Sequence, residues 1–292
     1  MGITGESDYF GILDNDSVFP SGGRIACQGV RGAYSAIAAK RMFPEGELMF
    51  FKNFDAVAEA VEKGLCDFGM LPVENNTFGP VKATYEVLKK GKVFIVRSEK
   101  LLISHRLLVK PNTAFSDIKE IYSHEQALGQ CAGFLSTLPE DVKRVPSFNT
   151  ALAAKFVAES ERSDIAAIAS PEAGELYGLT PLDMKIQDSD NNYTRFVCVA
   201  RERKVYPGAN RISLILSCPH RPGSLHHILG EFASLNLNLL RLESHPIVGR
   251  DFEFSFSMDI EAQSADERVR DMLISLSKEC PFFLYLGNYM EI

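Results

Sequence analysis

Thr194 and Arg195 stand side by side in the run Asn191-Asn192-Tyr193-Thr194-Arg195-Phe196, a hydroxyl and a guanidinium at the mouth of an apolar strand. Alternation along a strand puts Thr194 and Phe196 on one side and Arg195 on the other. The same residues serve equally well as an ordinary strand start with one surface arginine. Elsewhere, four strand-to-helix junctions are rich in Gly, Ser, Thr and Asn. They are Gly29-Val30-Arg31-Gly32-Ala33-Tyr34-Ser35, Glu74-Asn75-Asn76-Thr77-Phe78-Gly79, Ser123-His124-Glu125-Gln126 and Ser147-Phe148-Asn149-Thr150. Free backbone N–H groups and the helix dipole both favour an anion at such a place. Any one junction is explained by helix capping, for which Ser, Thr and Asn are preferred. Four of them, placed around one cleft, favour a small anionic ligand. Gly29-x-x-Gly32 is not the dinucleotide fingerprint, and neither a P-loop nor a G-x-S-x-G pattern occurs. The histidines, including His105 in a strand and the neighbours His226 and His227 on a helix, lack metal-ligand spacing.

The elements that must position these residues alternate between strands and helices. Strands are expected at 24–28, 48–51, 68–73, 93–97 and 101–109, with helices near 34–42, 56–63 and 82–89. The pattern repeats with strands at 118–123, 142–145, 165–169 and 196–200 and helices at 126–135 and 150–160. Ser170-Pro171-Glu172 reads as a further helix start, with a capping serine and proline in the first turn. Strands separated by helices of this length predict parallel α/β sheets, here in two lobes on either side of 101–109 with a cleft between them. A Pro207-Gly208 loop then leads into a β-α-β-β-α-β order: strand 211–218, helix 224–234, strands 239–245 and 251–260, helix 264–278 with Ser264 as N-cap, strand 282–289. In 239–245 the expectation is that Leu240 and Leu242 are buried and Arg241, Glu243 and His245 are left available. Residues 1–23, rich in Gly, Ser and Asp, read as a leader or linker.

Composition narrows the function classes. With 46% hydrophobic and 24% charged residues the chain is ordinary globular material. A formal net charge of −7 argues against nucleic-acid binding, and an anionic substrate would need local donors rather than long-range attraction. Six cysteines are scattered with no C-x-x-C pair, as expected of reduced thiols in a cytoplasmic protein. No run approaches the roughly eighteen apolar residues of a membrane span.

In order along the chain, Gly29-x-x-Gly32-x-Tyr34-Ser35, Pro72-Val73-Glu74-Asn75, Tyr122-Ser123-His124 with Gln126-Ala127, and Asn192-Tyr193-Thr194-Arg195-Phe196 resemble prephenate dehydratase. Pro222-Gly223-Ser224-Leu225 and Leu242-Glu243-Ser244-His245-Pro246 resemble the ACT regulatory domain of the same enzymes. Two positions depart from the family pattern. Asn76 stands where a Ser or Thr usually follows Glu-Asn, which favours Asn75 and Thr77 as ligand contacts. His245 stands where Arg is usual, and a histidine there carries the expectation of a pH effect between about pH 6 and 8.

The resemblance implies an α/β catalytic domain of two lobes over 24–204, similar to type II periplasmic binding proteins, and a ferredoxin-like ACT domain over 211–292. It implies decarboxylating dehydration of prephenate to phenylpyruvate, with arogenate dehydratase as the nearest alternative, and no redox cofactor or metal. Thr194, Arg195 and Phe196 are then the catalytic motif, with Thr194 donating to the departing hydroxyl. Tyr34, Ser35, Asn75, Thr77, Ser123, His124, Gln126, Asn149 and Thr150 hold the substrate. Gly223, Ser224, Leu225, Glu243, Ser244 and His245 bind phenylalanine as effector, between paired ACT domains of a homodimer or homotetramer. Many relatives carry an N-terminal helical chorismate mutase domain, which residues 1–23 are too few to build; a monofunctional enzyme, or one whose mutase portion was removed, is expected. A non-catalytic two-lobed anion sensor and a pure amino-acid-sensing scaffold are the readings from other classes.

Overall fold

The structure is a computed structural model that describes residues 12–13, 18–247, 249, 253–262 and 266–292. The first lobe is built on the strands Arg24–Gln28, Glu47–Phe51, Phe68–Asn75, Phe94–Leu102 and Tyr193–Ala200. Helices Tyr34–Met42, Phe54–Glu62 and Lys82–Lys89 cover it. In Phe54–Glu62 the buried residues Val57, Ala58, Ala60 and Val61 recur at helical spacing and face the sheet, and Asn53 caps the helix by accepting from the Ala56 amide at 2.9 Å. The second lobe orders its strands as Thr180–Pro181, Arg106–Val109, Ile165–Ala169, Glu120–Ser123 and Lys143–Pro146. Its central strand, Ile-Ala-Ala-Ile-Ala, is buried at every position, as a strand covered on both faces must be.

The sheets are mixed rather than all parallel. Tyr193–Ala200 runs antiparallel to both Phe68–Asn75 and Phe94–Leu102, and Arg106–Val109 runs antiparallel to Ile165–Ala169. The reason is the crossover between lobes. The chain leaves the first lobe at Leu102 and returns at Tyr193, directly opposite in the ladder, so the returning strand has to run backwards. The crossover also divides the stretch 101–109 expected as one strand: Ile103–His105 is the hinge, and its amide at Ile103 donates to the Asn192 carbonyl at 2.7 Å. The helix expected at 126–135 is two short ones, Glu125–Gly129 and Ala132–Ser136.

After the loop at 207–210 the β-α-β-β-α-β order holds: Arg211–Ser217, helix Ser224–Ser234, Asn238–Pro246, Phe254–Glu261, helix Glu267–Glu279 and Phe282–Glu291. Ser264 lies outside the described residues; Asp266 caps the last helix through the Arg268 amide. Phe282–Glu291 pairs in parallel with Phe94–Leu102, so this unit and the first lobe share one ten-stranded sheet. At the seam Gly287 has φ +150°, and a Cβ there would lie 2.1 Å from the Ile95 carbonyl oxygen; only glycine allows the two backbones this close.

The expected facing of strand 239–245 is reversed. Leu240 and Leu242 are 37% and 38% exposed, whereas Arg241, Glu243 and His245 face inward. The inward side lies against the catalytic lobe, where Arg241 reaches Asp259 and His245 stacks on Tyr85, so ion pairing and ring stacking outweigh burial of two leucines. Phe19, within the stretch read as a leader, packs against Phe43, Phe68 and Tyr206 in the first lobe's core. Among the described residues no helix is long and apolar enough to cross a membrane.

Candidate active site

The cleft is organised around a hydroxyl–amide pair. Thr194 stands directly opposite Asn75 in the ladder, and Asn75 Nδ2 donates to Thr194 Oγ1 at 3.0 Å. The amide cannot be turned round, because Asn75 Oδ1 accepts from the amides of Thr77 and Phe78, both at 3.0 Å. An NH2 group only donates, so the Thr194 oxygen accepts and its own proton is directed elsewhere. That leaves a fixed hydroxyl whose proton is not spent on Asn75. Asn75 Nδ2 also reaches Asn192 Oδ1 at 2.8 Å and the Tyr193 carbonyl at 3.1 Å.

From Asn192 a buried chain of hydrogen bonds runs along the hinge. Gln130 Nε2 donates to Asn192 Oδ1 at 3.3 Å, and Gln130 Oε1 accepts from His105 Nε2 at 2.6 Å. His105 is 2% exposed, and burial pushes its pKa down, against the Gln130 hydrogen bond, so the ring is neutral with its proton on Nε2. Its Nδ1 then faces the Tyr34 hydroxyl 3.2 Å away, which donates to the Ser104 carbonyl at 2.6 Å. Burial likewise raises the Tyr34 pKa well above its ordinary value. Tyr34 is thus committed to the hinge.

The other expected ligand contacts divide by what their polar atoms already do. Ser35 and Ser123 spend their protons on the carbonyls of Gln28 and Ile168, at 2.7 and 2.6 Å, so each can only accept from a ligand. His124 accepts the Gln126 amide through Nδ1 at 3.3 Å, which leaves Nε2 as a donor; burial lowers its pKa although Glu125 opposes this. The Gln126 side chain is exposed, and the residue one turn further on, Gln130, is the one that joins the hinge. Asn149 Oδ1 caps its helix by accepting from the Leu152 amide at 2.7 Å. Its Nδ2 is buried with no partner, beside the backbone of Gly29 from the opposite lobe. Thr150 follows as the first helical residue, buried. Thr77 is held through its amide, and Asn76 clamps the returning strand by donating to the Asn191 carbonyl at 2.9 Å and accepting the Tyr193 amide at 2.8 Å.

Arg195 and Phe196 do not face the cleft. Phe196 belongs to the first lobe's core, and Arg195 turns to the opposite side of the sheet, where it pairs with Glu74 at 2.8 Å and with Asp259. Sequence reasoning left out Gln130, named His105 only as a strand histidine without metal-ligand spacing and quoted Asn192 only as part of a motif. The available signals were the spacing of four from Gln126 to Gln130 on one helix face and the position of His105 at the crossover.

In the C-terminal unit, helix Ser224–Ser234 starts from Gly223 at φ 85° with no side-chain cap, and the Ser224 hydroxyl is buried without a partner. Hollows of about 240 and 570 Å³ flank this turn; Leu225, Phe254 and Phe256 line the smaller one with Arg221 and His220. Glu243, Ser244 and His245 line neither. His245 stacks on Tyr85 at 3.5 Å between centroids, and its Nε2 meets the Ser257 hydroxyl at 2.9 Å. Burial, with Arg241, Lys89 and Lys82 adding to it, pushes its pKa down to about 4, so the expected titration near neutrality is not where this histidine titrates.

Two α/β lobes closing on a fixed hydroxyl, followed by a β-α-β-β-α-β unit with an uncapped helix start, define a small-molecule enzyme with an appended ligand-sensing domain. The prephenate dehydratase family model matches residues 25–204 and the ACT domain model residues 212–276. The chain belongs to the prephenate dehydratase family and carries an ACT domain after its catalytic part. An arogenate dehydratase/prephenate dehydratase 2 of Arabidopsis thaliana is 37% identical over 278 residues, covering 91% of this chain and 72% of that relative. The solved prephenate dehydratase of Arthrobacter aurescens in complex with L-Phe superposes with a TM-score of 0.81 at 30% identity, over 91% of this chain and 89% of that one. GqqA, described as a novel type of quorum quenching acylase, gives 0.80 at 31% identity, over 91% and 97%.

Proposed function

We propose that the cleft converts prephenate to phenylpyruvate, with arogenate as the alternative substrate, and that Thr194 assists the departing hydroxyl. The observation that carries this is the Thr194–Asn75 pair, in which a donor-only amide leaves the threonine proton free to be given away. In the reaction the bond from the ring to its carboxylate breaks and its electron pair enters the ring. The ring C–O bond breaks in turn, and hydroxide leaves as water after taking up one proton, releasing carbon dioxide and an aromatic ring. A threonine hydroxyl is too weak an acid to supply that proton alone; it orients and stabilises the leaving oxygen while water provides the proton. Asn149 Nδ2, His124 and the uncapped start of helix Tyr34–Met42 are the donors available to the two carboxylates.

Phenylalanine is the effector in this reading. It binds between the paired ACT domains of a homodimer or homotetramer, at the start of helix Ser224–Ser234 with its ring against the aromatic lining beside it and near Glu243 to His245, of which Ser244 is on the outward face of its strand. The outward face of Ser244 supports a site completed by pairing. The free state of all six cysteines supports a reducing compartment, for which we propose the cytoplasm.

The test is turnover of prephenate and of arogenate side by side, with and without phenylalanine, in the parent and in Thr194→Ala. The expected loss is roughly 10²–10³ in kcat with the fold intact. Parent-like turnover by Thr194→Ala would remove the assignment.

A further inference from the structure

The two strands that carry the catalytic pair have a second face. Thr194 pairs with Asn75 on the cleft side, and the next residues, Arg195 and Glu74, pair on the side turned to the ACT sheet. The ladder slips between Arg195 and Phe196, so register is set locally at this point. Arg195 is 5% exposed and its Nε lies 2.8 Å from Glu74. Its terminal nitrogen meets Asp259, which is 1% exposed on the ACT strand Phe254–Glu261. Asp259 accepts in turn from Ser213 Oγ and from Arg241 Nε, the latter at 2.8 Å. Arg241 lies on Asn238–Pro246, two residues before Glu243 and on the same inward face as Glu243 and His245. One buried carboxylate therefore joins a catalytic-strand guanidinium to an effector-strand guanidinium.

We infer that Asp259 is a positioning residue: it holds Arg195, and so the register at which Thr194 meets Asn75, and it passes displacement of the effector strand to the catalytic hydroxyl. The inference rests on the readings of Thr194 and of phenylalanine as effector under Proposed function. Its physics is that of a buried charge cluster. Arg195 also pairs with Glu74, and Arg241 with Glu243 and more distantly with Glu74. Asp259, however, is the fully buried carboxylate that both hold, so moving either guanidinium away strips it of half its compensation in a dry place and the three shift together. A strand transmits such a shift to the residue next in line, because alternate side chains share one stiff backbone. Asp259 does not touch substrate; its effect on the reaction passes through Arg195.

The experiment measures kcat, KM and the response to added phenylalanine in Asp259→Asn, Arg241→Gln and Thr194→Ala of the full chain, each checked for folding by circular dichroism. Asp259→Asn is expected to lower kcat by about tenfold or more with KM changed by less than about threefold. Arg241→Gln leaves Arg195 on Asp259, so basal turnover stays within about twofold while the fold-change caused by phenylalanine falls by at least about half. A folded Asp259→Asn with parent kcat, or an Arg241→Gln with the full phenylalanine response, would overturn the inference. If Asp259→Asn does not fold, Arg241→Gln decides alone. Parent-like turnover by Thr194→Ala would instead remove the reading beneath it, which separates the two failures.

Discussion

Asn75 shows how much one amide can decide. Both of its ends are committed, the oxygen to two backbone amides and the nitrogen to Asn192, Tyr193 and Thr194. A carboxylate at this position would only accept, so the Thr194 proton would turn towards it and leave the cleft. Asn75→Asp is therefore expected to lose roughly 10²-fold in kcat, as steady-state kinetics would show, and also some stability, because its carboxylate oxygen would face Asn192 Oδ1 and the Tyr193 carbonyl. His245 leads to a prediction of the opposite kind. With its pKa held at about 4 it stays neutral throughout the neutral range, so phenylalanine-dependent regulation should be flat between about pH 6 and 8. The same depressed pKa contributes stability that is fully present above the ordinary value of 6.5 and is lost as pH falls from there towards about 4, because the unfolded histidine takes up its proton first. Denaturant midpoints measured across that window should fall with acid, and His245→Phe should flatten part of the fall. Asp259 is the contrasting case. Burial pushes its carboxyl up, but Arg195 and Arg241, with the Ser213 hydrogen bond, outweigh that and hold it at about 2, so it stays charged across the same window.

Among the elements, Phe282–Glu291 has the most demanding task, since it closes the ACT sheet and continues it into the catalytic lobe. Gly287 is what permits this, with the Ile95 carbonyl 2.1 Å from any added Cβ and φ in the left-handed half of the map. Gly287→Ala must push the two backbones apart, and a loss of about 3 kcal/mol is expected, read from chemical denaturation. An unfolding curve matching the parent would show that the seam yields at little cost. The returning strand Tyr193–Ala200 works in a similar way at its other end. Asn76 holds its entry through two hydrogen bonds, donating to the Asn191 carbonyl and accepting from the Tyr193 amide, a two-ended clamp that suits an amide side chain.

For the whole molecule, the exposed Leu240 and Leu242 are the clearest feature. They lie on Asn238–Pro246, the outermost strand at the ACT end of the ten-stranded sheet, where an unpaired edge is a ready surface for another chain. If ACT domains pair through this edge, Leu242→Lys should weaken self-association and, with it, the response to phenylalanine. Sedimentation equilibrium across a dilution series checks the first and turnover the second. A variant that associates like the parent would place the pairing surface elsewhere.

How much of this could be read in advance follows from the range of the interactions involved. The two-lobed α/β catalytic part, the β-α-β-β-α-β unit, the Ser170 helix cap and the Thr194 and Asn75 motifs were legible, because each rests on periodicity or on contacts a few residues apart. What the sequence could not reveal is which side of a strand meets what. Arg195 in the domain interface, the reversed facing of Leu240 and Arg241, and the route from Tyr34 through His105 and Gln130 to Asn192 all depend on partners far along the chain. The chain by itself determined its elements and its reactive residue types, since these follow from local backbone preference and hydrophobic spacing. Only the tertiary structure decided which polar atoms are spent and which are free, because that depends on which distant groups share the same buried space.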